Sequence, residues 1–382
     1  MSTHLALIGA AGFISMSTFR VTDPLLPALA EEFGVSVGRV AMTVTAYTLG
    51  YGVLQLVYGP LGDRVGKLRV MAVALALTAL FTAACAWVGG ILSLTILRFL
   101  AGMAAGAMVP LSIAHIGDTV EYGTRQATIG RFLAATTMGA VVGGSLAGMF
   151  AEFFGWRFVF IVLGVAGLAV AIRIGRIAAR TPRPPRAAAT AVRITHLGLI
   201  KQRATRIVWG AVFVEGWLVL GAVPYVGAYL RQTFALDYLT IGLVLGSFGL
   251  GGASYSFVVR WLVATLGERR MVMAGGATVC VSYGLMTIAG SWPLFIPALF
   301  VIGLGFFTMH STLQIRATEL APQARGTALS GFSFFLFLGQ SVGVSIIGYI
   351  VDGPGYAYAF GAASIGVAVL AGWLYRALPT RK

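Results

Sequence analysis

The sequence predicts an all-helical integral membrane protein, with twelve transmembrane helices in two pseudo-symmetric six-helix bundles. Three observations predict it. Of the 382 residues, 58% are hydrophobic and 10% charged, with a mean hydropathy of +0.89. A soluble domain carries about 25% charged residues, so this much apolar surface cannot be hidden in a water-soluble core. The apolar residues fall in long runs rather than ten-residue alternations, which excludes a transmembrane β-barrel. Twelve helices of about 20 residues need roughly 240 residues, and the length accommodates them with short loops.

The charges sort by side. With the N-terminus in the cytoplasm, apolar spans fall at 5–28, 40–58, 70–90, 91–115, 131–153, 156–174, 207–229, 237–261, 271–290, 293–315, 328–350 and 355–376. The cytoplasmic loops and tail then hold 22 of the 27 Lys and Arg, the outer loops three (Arg39, Arg157, Arg231) and the spans two (Arg20, Arg98). This is the positive-inside pattern. The net charge of +15 therefore reports topology and calls for no nucleic-acid partner. Cys85 and Cys280 both fall within spans, which argues against a disulfide or a metal site.

Taken in order, the first span carries Arg20 and Asp23. Ala28-Leu29-Ala30 imitates a signal-peptide cleavage site, but charges inside the apolar stretch mark an uncleaved first helix. Asp23 lies about five residues, or ~8 Å, below the outer boundary, and Arg20 is on roughly the same helix face. The second span carries Tyr47 and Gln55. It ends in the polar run Gly59-Pro60-Leu61-Gly62-Asp63-Arg64-Val65-Gly66-Lys67-Leu68-Arg69, a tight loop between two bilayer-length spans. The third span is apolar throughout. The fourth places Arg98 ~10 Å below the outer surface, level with Asp23, and is closed by Asp118. An unpaired charge at mid-bilayer costs a few kcal/mol, so Arg20, Asp23 and Arg98 are expected to form one network facing a central cavity. The competing reading is a static ion pair tying helices one and four.

The fifth span carries Gly139, Gly143 and Gly144, whose spacing allows close helix approach and suits a sliding contact between the halves. After the sixth span, residues 173–206 hold nine basic residues and Thr181-Pro182-Arg183-Pro184-Pro185, with no acidic residue between Glu152 and Glu215. This reads as a cytoplasmic linker separating a first bundle, 1–172, from a second, 207–382. Its stretch from Ile194 to Ile200 fits an amphipathic helix on anionic lipid. The seventh span carries Trp209, Tyr225 and, near mid-depth, Glu215. No basic residue stands beside Glu215 in sequence, and an unpaired buried Glu tends to hold its proton. Glu215 is thus a candidate second proton site or an anchor for a cationic substrate, against a neutral hydrogen-bonded group. Between the eighth and ninth spans, Gly267-Glu268-Arg269-Arg270 is a worn copy of the polar loop, without its Asp. The tenth span carries His310 and Gln314, and the eleventh Gln340; the twelfth completes the set. Tyr47, Gln55, Trp209, Tyr225, His310, Gln314 and Gln340 are candidate cavity-wall residues, each of which also reads as packing.

The halves repeat. Arg125-Gln126-Ala127-Thr128 opens the fifth span and Arg325-Gly326-Thr327-Ala328 the eleventh. At an offset of 200 residues, Gly139, Gly143, Ser145 and Gly148 match Gly339, Gly343, Ser345 and Gly348. Parallel repeats in a membrane protein place the binding site at their interface, with a rocking motion about it.

The polar loop resembles the hallmark loop of the major facilitator superfamily, Gly-x-Leu-Ala-Asp-Arg-x-Gly-Arg-Lys. Gly59, Leu61, Asp63, Arg64 and Gly66 match; Gly62 replaces Ala and Lys67 the second Arg. Asp23-Pro24-Leu25-Leu26-Pro27 is similar to the first-helix motif of the twelve-span drug:proton antiporters. Leu97-Arg98-Phe99-Leu100-Ala101-Gly102 is similar to the superfamily's fourth-helix motif. Gly139-Ala140-Val141-Val142-Gly143-Gly144 resembles the exporters' Gly-Pro-x-x-Gly-Gly, with Ala140 in place of Pro. The resemblance implies that Asp23 takes up the proton and that Arg98 favours its charged form. It implies that Asp63 sits at the N-terminus of the eleventh helix and that Asp118 pairs with Lys67 or Arg64, a conformational switch with Gly59 and Gly66 that holds the cytoplasmic side shut. The function so implied is proton-coupled efflux, or antiport, of a small amphipathic or apolar compound by alternating access. The alternatives are a proton-coupled uptake symporter or facilitator of a metabolite and, more remotely, a non-transporting receptor. No metalloprotease or phosphate-loop motif is present, and the one Gly-x-Ser-x-Gly spacing, Gly339-Gln340-Ser341-Val342-Gly343, falls inside the eleventh apolar span rather than at a strand-to-helix turn, so no catalytic residue, cofactor or metal is expected and the protein does not read as an enzyme. The expected partners are a small-molecule substrate, protons and the bilayer. A monomer in the inner membrane, with both termini cytoplasmic, completes the reading.

Overall fold

The computed structural model describes residues 3–181, 196–322 and 324–378. Among the described residues, eleven helical stretches are long and apolar enough to cross a membrane. They are α1 (His4–Phe33), α2 (Val37–Val65), α3 (Lys67–Trp87), α4 (Ile91–Thr119), α5 (Tyr122–Phe153), α6 (Trp156–Arg180), α7 (Arg203–Phe234), the run Tyr238–Ile288 containing α8 (238–266) and α9 (268–288), α10 (Trp292–Glu319), α11 (Arg325–Asp352) and α12 (Tyr356–Ala377). A straight helix of the 51 residues in Tyr238–Ile288 would be about 77 Å long, against a hydrocarbon core of ~30 Å. Gly267 breaks it with φ of 66°, a conformation only glycine adopts readily. Gly66, with φ of 103°, makes the matching break between α2 and α3.

Residues 173–180 of the basic segment continue α6 as helix. Residues 182–195 of the expected linker, Ile194 included, lie outside the described residues, as do 379–382 of the expected cytoplasmic tail. A short helix, His196–Ile200, follows, with Leu199 buried. It packs near the starts of α7 and α11.

Two helices are broken at matching places. In α1, regular helix ends at Arg20, a 3-10 turn spans Asp23–Leu25, and helix resumes at Leu26. Pro24 and Pro27 lack the N–H that an unbroken helix requires. In α7, helix ends at Glu215, a π turn spans Gly216–Leu220, and helix resumes at Val223 with Pro224 in its first turn. Pro24 and Pro224 are 200 residues apart.

The same offset governs packing. A Cβ on Gly139 would meet the Phe13 carbonyl oxygen at 2.2 Å, and one on Gly143 the Ser17 Cα at 2.4 Å. Gly339 and Gly343 stand likewise against Phe213 and Trp217, at 1.9 and 2.2 Å from their carbonyl oxygens. These glycines therefore press α5 onto α1 and α11 onto α7. The expected sliding contact between the halves does not run through Gly139 and Gly143: at 100° per residue they face α1, and neighbouring positions of α5 face the other half.

Two antiparallel seams join the halves. Along α2 and α11, Gly38 meets Asp352, Thr45 Oγ1 lies 3.2 Å from Ser345 Oγ, Thr48 Oγ1 lies 2.8 Å from Ser341 Oγ, and Gly52 faces Phe337. Along α5 and α8, Glu152 meets Tyr238, Ser145 meets Gly242, and Val141 meets Gly246 and Gly249. Gly144 belongs to this seam, its carbonyl facing Gly242. Both seams begin at the end carrying loops 34–36 and 235–237, here the far end. Towards the opposite, basic end they part: nothing stands within 4 Å of a Cβ built on Gly59, Gly130 or Gly326. The halves are closed at the far end and splayed at the basic end.

Candidate functional site

The break in α1 builds the first cluster. Arg20 Nη1 donates to Asp23 Oδ2 at 3.1 Å, and Asp23 is buried at 4% exposure. The Arg20 guanidinium lies 5.6 Å from the ring of Phe248 on α8, and the Asp23 carbonyl faces Gly227 on α7. The ion pair therefore sits in the first half against the second.

Arg98 is fully buried. It donates to the Thr18 carbonyl at 2.9 Å and lies over the Tyr47 ring at 4.0 Å, a cation–π contact. Thr18 is in the last turn before the break, where carbonyls lack helical partners and the dipole end is negative, so Arg98 caps the broken helix. The expected three-charge network thus divides. Arg20 is three residues from Asp23 and pairs with it directly, while Arg98 is engaged by a carbonyl and a ring. Asp23 Oδ1, Arg98 Nε and Nη2 and the Tyr47 hydroxyl are buried with no hydrogen-bond partner among the described residues. Buried polar atoms are normally paired; a concentration of unpaired ones leaves valences for water, a proton or a substrate.

Beside this cluster the two halves share an aromatic layer. Phe19 lies 5.5 Å from both Tyr47 and Tyr51, and Phe337 of α11 lies 4.8 Å from Tyr51 and 5.8 Å from Phe19. Gln55 is half-buried one turn beyond Tyr51. Phe19, Tyr51 and Phe337 were not singled out from sequence, where they are three of 24 Phe and 13 Tyr.

The second cluster is in the other half. Glu215 is fully buried, and its Oε2 lies 2.8 Å from His310 Nδ1. His310 stacks on Phe306 at 4.9 Å. The expectation of a carboxyl without a basic neighbour is corrected: its partner is 95 residues away, on α10. Trp209 stacks on Phe335 at 5.3 Å. Trp209 Nε1, Glu215 Oε1 and both side-chain polar atoms of Gln340 are buried without partners among the described residues. Tyr225 instead donates to the Val344 carbonyl at 2.6 Å, tying α7 to α11. Gln314 is exposed, one turn beyond His310.

At the basic end, Lys67 bridges Asp63, at 3.3 Å, and Asp118. Asp63, Arg64 and Gly59 are exposed. Among the described contacts Asp63 does not reach the start of α11, because the halves diverge there. In the second half Arg316 Nε donates to Glu268 Oε2 at 2.6 Å, so the worn loop keeps a charge pair with its sign reversed. His196 meets Ser330 Oγ at 2.9 Å, and partial burial lowers the pKa of its imidazole. A cavity of about 620 Å³ between α9 and α10 is lined by Val281, Leu285, Leu294 and Val301; with no charged residue in its lining, it is apart from both clusters. Among the described residues no group of three or more His, Cys, Asp or Glu could hold a metal ion.

The family model described as Major Facilitator Superfamily matches residues 8–322 and 208–382. The Bacillus subtilis (strain 168) protein named Uncharacterized MFS-type transporter YceJ is 28% identical over 371 residues, covering 94% of this chain and 90% of its own. The Probable L-galactonate transporter of Escherichia coli (strain K12) is 26% identical over 351 residues, covering 84% and 77%. Among solved structures, a bacterial homologue of the human lysosomal transporter Spinster, inward-facing and unoccupied, superposes with a TM-score of 0.76 at 16% identity over 98% of this chain and 95% of that one.

Proposed function

The chain belongs to the Major Facilitator Superfamily, and from that premise we propose that it is a proton-coupled exporter of a small amphipathic or apolar compound. It is a multi-pass membrane transporter rather than an enzyme. In our reading, twelve spans form two six-helix bundles, 1–172 and 207–382, joined by the basic segment. The basic end faces the cytoplasm with both termini, the membrane is the inner one, and the working unit is a monomer.

One observation carries the reading: the buried Arg20–Asp23 pair at the break of α1, lying against the second half. A carboxylate there holds Arg20 as its counter-ion. A proton arriving at Asp23 neutralises it, releases Arg20, and alters the contact with Phe248. Charge state is thereby linked to how the halves pack. In the far-end-closed state Asp23 is sealed, so an external proton reaches it when that end opens. The proton is then released at the basic end in exchange for substrate. One proton moving inward down ~100 mV supplies ~2.3 kcal/mol. Arg98 keeps the break in α1 intact, and Glu215 with His310 forms a second protonatable or cation-binding group. Tyr47, Gln55, Trp209, His310 and Gln340 are cavity-wall candidates. Gly59, Asp63, Arg64, Gly66, Lys67 and Asp118 form the switch at the basic end; in the opposite state Asp63 caps the start of α11.

A second reading is uptake of a small metabolite. The relative named for L-galactonate supports it, and Arg20 and Arg98 supply the cations that an organic acid would require.

The test uses the protein in proteoliposomes. Asp23→Asn is expected to abolish gradient-driven transport while insertion and folding persist. Full gradient-driven transport by that variant would remove Asp23 from the mechanism. Lumenal pH recorded as each compound of a panel is added distinguishes exchange from co-transport by the sign of the change.

A further inference from the structure

Glu152 lies in the last turn of α5 and Asp352 ends α11, 200 residues apart, and both are exposed at the far end. Each reaches across to the other half. Asp352 Oδ1 accepts the Gly38 N–H at 3.0 Å, and its Oδ2 accepts the Ser36 hydroxyl at 2.5 Å. Glu152 Oε2 accepts the Tyr238 N–H at 3.0 Å. Gly38 and Tyr238 are also 200 residues apart. They lie in the first turns of α2 and α8, behind the N-caps Ser36 and Asp237. The first N–H groups of a helix have no partner within it, and the positive end of its dipole is there. A carboxylate meeting such an N–H makes the stronger, charge-assisted kind of hydrogen bond.

We propose that Glu152 and Asp352 are paired latches that hold the far end shut, and that both must release in the opening step of the transport cycle. The proposal rests on the alternating-access reading above. Three features set these contacts apart from ordinary loop bonds. Each joins opposite halves, so opening the far end breaks it. They sit at the ends of two different seams, so neither alone leaves the gate free to swing about the other. The close approach is also built in, since a Cβ on Gly38 would stand 2.3 Å from Asp352 Oδ2 and 2.7 Å from the Gly348 carbonyl. A carboxylate on the N-terminus of a facing helix is also the contact proposed for Asp63 at the basic end. The two ends of the molecule would thus be held by the same device in opposite states.

Electron–electron distance measurements on the full chain in lipid nanodiscs test this, with Cys85 and Cys280 replaced by Ala. One spin-label pair, Gly90→Cys with Gly290→Cys, reports the far end. The other, Gly123→Cys with Gly326→Cys, reports the basic end. None of the four glycines has a neighbour within 4 Å of a Cβ position. Glu152→Ala and Asp352→Ala are each expected to raise the ratio of far-open to far-closed molecules by about tenfold, and the double variant more. The basic-end distance should shorten in step. Glu152→Gln and Asp352→Asn keep an acceptor oxygen but lose the charge, and should shift the ratio less. Unchanged distances in the double Ala variant would overturn the latch, as would a longer far-end distance with no shortening at the basic end. If the Ala variants do not fold, Gly38→Ala keeps both carboxylates and displaces Asp352; it should give the same paired shift, and no shift overturns the proposal. A wild type that samples both states while the variants match it defeats the latch alone. A wild type with one fixed pair of distances, with and without a proton gradient, defeats the alternating-access reading and the latch with it.

Discussion

Glu215 shows what a single residue can hide. From sequence it is a lone carboxyl near mid-membrane. In the structure it faces His310, whose ring is held by Phe306 and lies 5.1 Å from that of Phe332. Removing one partner of a buried polar pair leaves the other stranded, whereas removing both is far cheaper. A double-mutant cycle with Glu215→Gln and His310→Ala should therefore show a coupling energy of about 1–3 kcal/mol in thermal unfolding in detergent. Additive effects would mean that the two groups do not act together. Arg98 carries the opposite lesson. Its place within an apolar span was legible, but its partner is a backbone carbonyl freed by a helix break, and hydropathy contains no signal for that. The breaks themselves had one, since Pro24 and Pro224 occupy equivalent places in the repeat.

Helices in this protein approach through glycine. Gly139 and Gly339 each stand where a methyl group would strike backbone of the neighbouring helix, at 2.2 and 1.9 Å. Backbone cannot swing aside as a long side chain can. Gly139→Ala and Gly339→Ala should each destabilise by about 1–3 kcal/mol, to similar extents because the repeat makes them equivalent. Gly130→Ala, on the same helix as Gly139 but with open space around it, should be neutral or slightly stabilising, as alanine favours helix by about 1 kcal/mol over glycine. Equal melting temperatures for Gly130→Ala and Gly139→Ala would refute the packing argument. The 200-residue match of glycines was visible in the sequence. That Gly139 and Gly143 face α1 rather than the other half was not, because it depends on the rotation of α5 about its axis.

Across the whole molecule the seams contact at one end and part at the other. Thr45 and Ser345 touch at 3.2 Å between hydroxyls. Continuing the antiparallel register brings Gly59 opposite Ser330, where the halves are apart. If the halves rock, these contacts are mutually exclusive. Thr45→Cys with Ser345→Cys should cross-link at rest and arrest transport. Gly59→Cys with Ser330→Cys should link only during turnover, when the basic end closes. Efficient linking of both pairs in one arrested state would contradict rocking.

The chain by itself determined the all-helical membrane class, the order and approximate bounds of the spans, the sorting of its basic residues and the internal repeat. These follow from local transfer energies and charge, which act on each segment almost independently of its neighbours. Tertiary structure decided which polar groups meet and which end is shut. Arg98 meets Thr18, Glu152 meets Tyr238 and Glu215 meets His310 across separations of 80, 86 and 95 residues. Such meetings depend on helix rotation, on breaks at proline and on how the halves pack against each other, and hydropathy carries no record of any of these.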